Sequence, residues 1–156
     1  MRLRLIAIGT RMPAWVRSGF DDYARRLHSP LRFELVELPA GRRSVAADAT
    51  RAVADEGRRM LAALSTREHV VALDEHGSAQ STRELAQWLA LRMRDGLDVA
   101  LLVGGPDGFA STVLARAQQR WSLSQLTLPH AMVRVIVAEQ LYRAHSLLNH
   151  HPYHRD

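Results

Sequence analysis

Hydrophobic and polar positions change period several times along the chain, and each change marks a new element. Leu3, Leu5, Ile6, Ala7 and Ile8 alternate with Arg2 and Arg4 before the run turns wholly apolar, which predicts a strand entering a buried sheet and ending at Gly9. From Ala14 to Leu27, the residues Trp15, Val16, Phe20, Tyr23, Ala24 and Leu27 recur at helical spacing until Ser29-Pro30 stops the run. Leu31 to Leu38 alternates again and closes at Pro39-Ala40-Gly41, a second strand. Ser44 to Leu64, rich in alanine and charge, predicts a long helix with a polar face. Glu68 to Asp74 is a third strand, and Ser81 with Glu84 has the spacing of a capping box for a helix reaching about Arg94. Asp98 to Val103 is a fourth strand, followed by a sharp Gly104-Gly105-Pro106-Asp107-Gly108 loop and a short helix from Ser111 to Gln119. Trp121 to Leu128 is a fifth apolar stretch, and Ala131 to Leu148 is a final helix with a histidine-rich tail.

Strands alternating with helices imply an α/β fold, a parallel sheet covered by helices on both faces. Ligands of such sheets sit beyond the carboxyl ends of the strands, so the loops after Leu73, Val103 and Leu123 are the places to look. No repeat or linker divides the chain, and residues 1–156 read as one domain. The last helix leaves few positions for a wet face, since Met132, Val133, Val135, Ile136, Val137, Leu141, Leu147 and Leu148 are all apolar. Either it is central within the monomer or a homodimer buries the excess.

Composition narrows the chemistry. The absence of cysteine excludes disulfide frameworks, thiolate metal sites and a cysteine nucleophile. No apolar run reaches the roughly 18 residues of a membrane span, and Met1 to Gly9 reads as a strand rather than a signal sequence, so a cytoplasmic location without membrane is expected. All 21 basic residues are arginine and the net charge is +5, a balance compatible with RNA, although genomic base composition also favours arginine. The Gly104–Gly108 loop fits neither a dinucleotide fingerprint nor a P-loop and, alone, is a good turn whatever its purpose. The leucines of Leu123-Ser124-Gln125-Leu126-Thr127-Leu128 are of the type that sandwiches an adenine, but equally of the type that builds a core strand. His145, His150, His151 and His154 cluster without the spacing of a metal site, so no metal is expected. The tail ending Tyr153-His154-Arg155 offers an aromatic, a titratable group and a cation, which suits a nucleobase and its phosphate, while any terminus can also be a solvated tail.

Taken together, Leu5 to Thr10, Phe33-Glu34-Leu35, Glu56-Gly57, Leu73-Asp74, Gly104-Gly105-Pro106, Leu126 to His130, Val133-Arg134-Val135, Glu139 to Ala144 and the His-Pro-Tyr-His-Arg end resemble the RlmH family of SPOUT-class methyltransferases. That resemblance spans essentially the whole chain and implies a C-terminal trefoil knot, which topology rules alone never suggest. It also implies a homodimer and a reaction that methylates N3 of a pseudouridine in large-subunit (23S) ribosomal RNA within the ribosome, using S-adenosylmethionine. Carried onto this sequence, the cofactor residues are Leu73, Gly104, Gly105, Leu123, Ser124, Gln125, Leu126, Thr127 and Leu128. His154 is the candidate base, with Arg155 or Arg134 to stabilise the anion and Tyr153 to stack on the target. The alternatives are a SPOUT enzyme for another RNA position, such as a transfer-RNA ribose, and a catalytically silent ribosome-associated RNA-binding protein. Two positions depart from the family pattern: His150 stands in place of an asparagine and His145 in place of an aromatic.

Overall fold

The computed structural model describes residues 1–27, 29–44 and 49–153. Its elements are β1 (Arg2–Ile8), α1 (Ala14–Ala24), β2 (Arg32–Leu38), α2 (Ala49–Ala63), β3 (His69–Ala79), α3 (Thr82–Asp95), β4 (Val99–Val103), α4 (Ser111–Arg116), β5 (Gln119–Ser122) and α5 (His130–Leu148). The strands form one sheet in the order β2-β1-β4-β3-β5, and every pairing is parallel. The four residues before α2, which the sequence pattern included in that helix, lie outside the described residues.

Alternation along the strands divides the core. Leu3, Leu5 and Ala7 of β1 join Val99, Leu101 and Val103 of β4 on the face covered by α1, α3 and α5. Ile6, Ile8, Ala100 and Leu102 point to the other face, where Met60 of α2 and Val113 of α4 meet them. The topology accounts for this division. The β1 to β2 and β3 to β4 connections step toward one sheet edge while β2 to β3 and β4 to β5 step toward the other, so a single handedness of crossover sends their helices to opposite faces. Because α5 lies between α1 and α3, its Val137 and Leu141 are covered within one chain, while Met132 remains exposed. Part of that helix's apolar excess thus comes from its central position. Among the described residues no helix is long and apolar enough to cross a membrane.

Local chemistry fixes the ends. Ser81 accepts from the Glu84 amide at 3.2 Å and the Glu84 carboxylate accepts from the Ser81 amide at 2.7 Å, closing the capping box, and Gly96 ends α3 in the left-handed region. His150 also has a positive φ, 54°. Histidine is one of the few side chains enriched in that conformation.

Two strand limits differ from the sequence pattern. β3 continues past Asp74 to Ala79, and its register against β5 shifts between Leu73 and Ser78, both of which pair with Trp121. Residues 74–77 are therefore looped out as a bulge. Gly77 is required there, because a Cβ would lie 2.6 Å from the backbone of Arg120 and Trp121. β5 starts earlier and ends at Ser122 rather than Leu128. As an edge strand it tolerates the polar Gln119 and Arg120, and hydroxyl hydrogen bonds divert the chain after Ser122: Ser122 Oγ donates to the Ser124 carbonyl at 2.9 Å, and Ser124 Oγ accepts from the Leu126 amide at 2.9 Å. Likewise α1 ends at Ala24 and α4 at Arg116, each a few residues short of its apolar pattern.

Leu101, buried on the central strand, tests this core. Leu101→Ala is expected to lower unfolding free energy by about 2–5 kcal/mol, read as a shifted denaturant midpoint with an unchanged slope.

Candidate active site

The bulge of β3 and the loops after β4 and β5 converge at the start of α5, near the carboxyl edge of a parallel sheet where ligands bind. The cleft between them is lined by Leu73, by Gly104 and Gly105, and by Leu123, Ser124, Leu126, Thr127 and Leu128. Of the cofactor positions inferred from sequence only Gln125 does not line it. Asp74, Glu75, Phe109, Trp121, His130 and Val133 also line the cleft. The sequence signal for the two carboxylates was their place at a strand end, but the bulge that turns them into the cleft has no signature in the polar pattern.

The hydroxyl hydrogen bonds of the Ser122–Leu128 segment leave Leu123 and Leu126 uncovered. Leu126 is 76% exposed and Leu123 37%, so the cleft offers apolar surface with no side chain over it. The glycine loop is tighter than a simple concession to a ligand. Gly108 N donates to Gly105 O at 3.1 Å with Gly108 at φ 81°, and a Cβ on Gly104 would lie 3.0 Å from the Gly108 carbonyl oxygen. A Cβ on Gly105 would lie 2.8 Å from Glu56 Oε2. These glycines let the loop close on itself and on Glu56 as well as lining the cleft.

Glu56 is a buried carboxylate on α2 and a centre of hydrogen bonding that its sequence gives no reason to expect. It accepts from the Gly41 amide at 2.8 Å and from Arg43 Nη1 at 2.7 Å and Nη2 at 3.3 Å. Arg43 Nε donates in turn to Asp107 Oδ2 at 2.7 Å. The hydrogen bonds to Glu56, then to Asp107, push the Arg43 pKa above its ordinary value.

Arg134 is also buried. Its Nη1 donates to Glu37 Oε1 at 2.6 Å, and its Nη2 donates to the Ile8 and Gly9 carbonyls at 3.1 and 2.7 Å. Burial lowers its pKa and the hydrogen bond to Glu37 opposes that shift. With 1% of its side chain exposed and its donors turned to these internal acceptors, the guanidinium braces α5 against the end of β1. His130, near Arg134 at the cleft wall, has its pKa lowered from 6.5 by burial and by that cation.

Tyr153 lies at the other end of α5. Its hydroxyl donates to Glu139 Oε1 at 3.2 Å, its ring centroid is 4.6 Å from that of Tyr142, and the Arg143 guanidinium carbon is 5.0 Å from the ring centroid. Burial, then hydrogen bonding with Tyr23, raises its pKa. His154 and Arg155 lie outside the described residues. Tyr153 folds back along α5 to the level of Glu139 and Tyr142 and is not among the residues that line the cleft.

The family model described as "Predicted SPOUT methyltransferase" matches residues 1–154. A protein of Alkalilimnicola ehrlichii named "Ribosomal RNA large subunit methyltransferase H" is 58% identical over 155 residues, covering 99% of both chains. One of the same name from Methylococcus capsulatus is 54% identical over 155 residues, covering 99% of this chain and 100% of the relative. Among solved structures, a probable methylase family protein from Haemophilus influenzae matches 99% of this chain and 70% of its own with a TM-score of 0.56 at 14% identity. A putative methylase family protein from Neisseria gonorrhoeae matches 90% and 81% with a TM-score of 0.57 at 16% identity. The structural likenesses speak for the fold, and the full-length family match together with identities above one half decides membership: the chain belongs to the SPOUT methyltransferase family.

Proposed function

We propose that this chain transfers the methyl group of S-adenosylmethionine to N3 of a pseudouridine in 23S ribosomal RNA, acting in the cytoplasm on the assembled ribosome as a homodimer of trefoil-knotted subunits. The observation that carries the reading is near-complete coverage, at 54–58% identity, of two relatives named for large-subunit ribosomal RNA methylation.

The cleft suits this donor, which supplies an electrophilic methyl group on a sulfonium centre. Leu123 and Leu126 present uncovered apolar surface to a flat purine, and the backbone groups around Ser124 and Thr127 can read its edge. Asp74 and Glu75 give the cleft carboxylates that favour a cationic ligand. On the acceptor side His154 takes the N3 proton, Arg155 balances the anion that forms and Tyr153 stacks on the base. Tyr153, held against Tyr142 and Glu139, does not line the cleft of its own chain, which supports an arrangement across two chains. In this arrangement the tail of one protomer serves its partner's cleft, and exposed Trp15 and Met132, on the neighbouring helices α1 and α5, offer apolar surface for a second copy to cover.

Incubation with labelled S-adenosylmethionine and ribosomes from a strain lacking the protein tests the reaction. Label on N3 of a pseudouridine is expected; label on a ribose, or donor binding with no transfer to any RNA, would overturn the assignment. The shared site is tested by complementation. Removal of residues 151–156 should abolish transfer while leaving donor affinity nearly unchanged, and Gly104→Val should weaken donor binding by forcing the loop away from Gly108. Mixing the two inactive variants and allowing subunits to exchange should restore activity through mixed dimers, whereas a monomer by light scattering, or a mixture with no recovered activity, speaks against the arrangement.

His130 supplies a pH test. Its folded pKa is lowered below 6.5, so the unfolded chain binds the proton more readily. Its environment costs no stability above about pH 6.5, and stability is lost as pH falls from there through the folded value. The difference in unfolding free energy between the parent and His130→Gln should thus be flat at neutral pH and move in favour of the variant in acid; a difference that does not change with pH would show that the imidazole protonates freely in the folded protein.

A further inference from the structure

We propose that Arg43 and Glu56 are positioning residues that hold the Gly104–Gly108 loop in the shape that receives the methyl donor. The inference rests on the donor-binding reading of the cleft. Gly104, Gly105, Pro106 and Gly108 line one wall of that cleft, yet three of the four have no side chain with which to anchor the wall to the protein. Glycine-rich backbone loses more freedom on ordering than any other, so a loop of this kind needs restraint from outside. The restraint is ionic. Glu56 lies under Gly105, so close that a Cβ there would come within 2.8 Å of Oε2, and Arg43 spans from Glu56 to Asp107 at the tip of the loop with bonds of 2.7 Å at each end.

The two ends of this bridge sit in different surroundings. The Glu56 side chain is 3% exposed and the Asp107 side chain 41%. The inner pair contributes mainly to stability, because removing Arg43 alone strands a buried carboxylate. The outer pair, close to solvent, contributes little to stability and acts on where the loop sits. A guanidinium serves both at once because its donors lie in a fixed fork; an ammonium at the same position satisfies Glu56 or Asp107 but not both.

The experiment measures two quantities on each variant: thermal stability without ligand, and affinity for S-adenosylhomocysteine by calorimetry. Arg43→Met should lower both. Arg43→Met combined with Glu56→Gln removes the stranded charge, so stability should return close to the parent while affinity stays about tenfold weaker. Arg43→Lys should likewise keep most of the stability and lose affinity. Parental affinity in the double variant would overturn the proposal, leaving the network a purely structural ion pair, as would affinity that simply follows stability through the series. Failure of the unsubstituted protein to bind S-adenosylhomocysteine is a different result: it removes the donor reading of the cleft, and this inference with it.

Discussion

The guanidinium of Arg134 joins the last helix to the first strand, and the arrangement of the cleft depends on that junction. Its donors meet the Ile8 and Gly9 carbonyls at the end of β1 and the Glu37 carboxylate near the end of β2. Once buried it cannot be left without these acceptors, since an uncompensated internal charge costs several kcal/mol (about 3–5 when one partner of a buried pair is removed). The start of α5 is therefore fixed at the carboxyl edge of the sheet, with His130 and Val133 brought into the wall of the cleft. Gly9, at φ 107°, lets the chain turn out of β1 beside the guanidinium, and a Cβ there would lie 3.0 Å from Met12.

This use of arginine changes the meaning of the chain's charge. Twenty-one arginines and no lysine suggest a surface prepared for phosphate, but several of these side chains are structural. Arg134 and Arg43 each bridge three groups, and Arg116 donates to the carbonyls of Ser65 and Glu68 at 3.1 and 3.2 Å. In each case a forked donor links segments far apart in sequence, a task for which a single ammonium is poorly shaped. Net charge alone therefore overstates how much of this protein is directed at RNA.

What the sequence revealed follows from whether the signal was local. β1 and β4 were legible because strands buried on both faces become continuous apolar runs, and α3 because its capping box lies within four residues. The order of elements placed the cleft at the ends of β3, β4 and β5. The limits of β5 were not legible: its own residues include Gln119 and Arg120, as an edge position permits, while the leucines that imitated a strand lie in a loop set by two serine hydroxyls. Glu56 was recognisable as part of a motif but not as the floor under Gly105, because that relation joins α2 to a loop about fifty residues later. The direction of Arg134 was hidden for the same reason, its acceptors being more than ninety residues away in sequence.

The bulge of β3 bears on how such a protein can change over evolutionary time. Residues 74–77 have no register partner on β5, while Leu73 and Ser78 on either side keep the ladder intact. Glu75 and His76 are exposed there, whereas Asp74 is largely covered and accepts from the His76 amide at 3.2 Å, and Gly77 is held by a close backbone approach. Glu75 and His76 can therefore be exchanged with little penalty to the sheet, and Glu75 lines the cleft. Ligand preference and structural integrity are thus encoded by different residues of one strand, so descendants can alter the chemistry at the mouth of the cleft without first acquiring compensating stability.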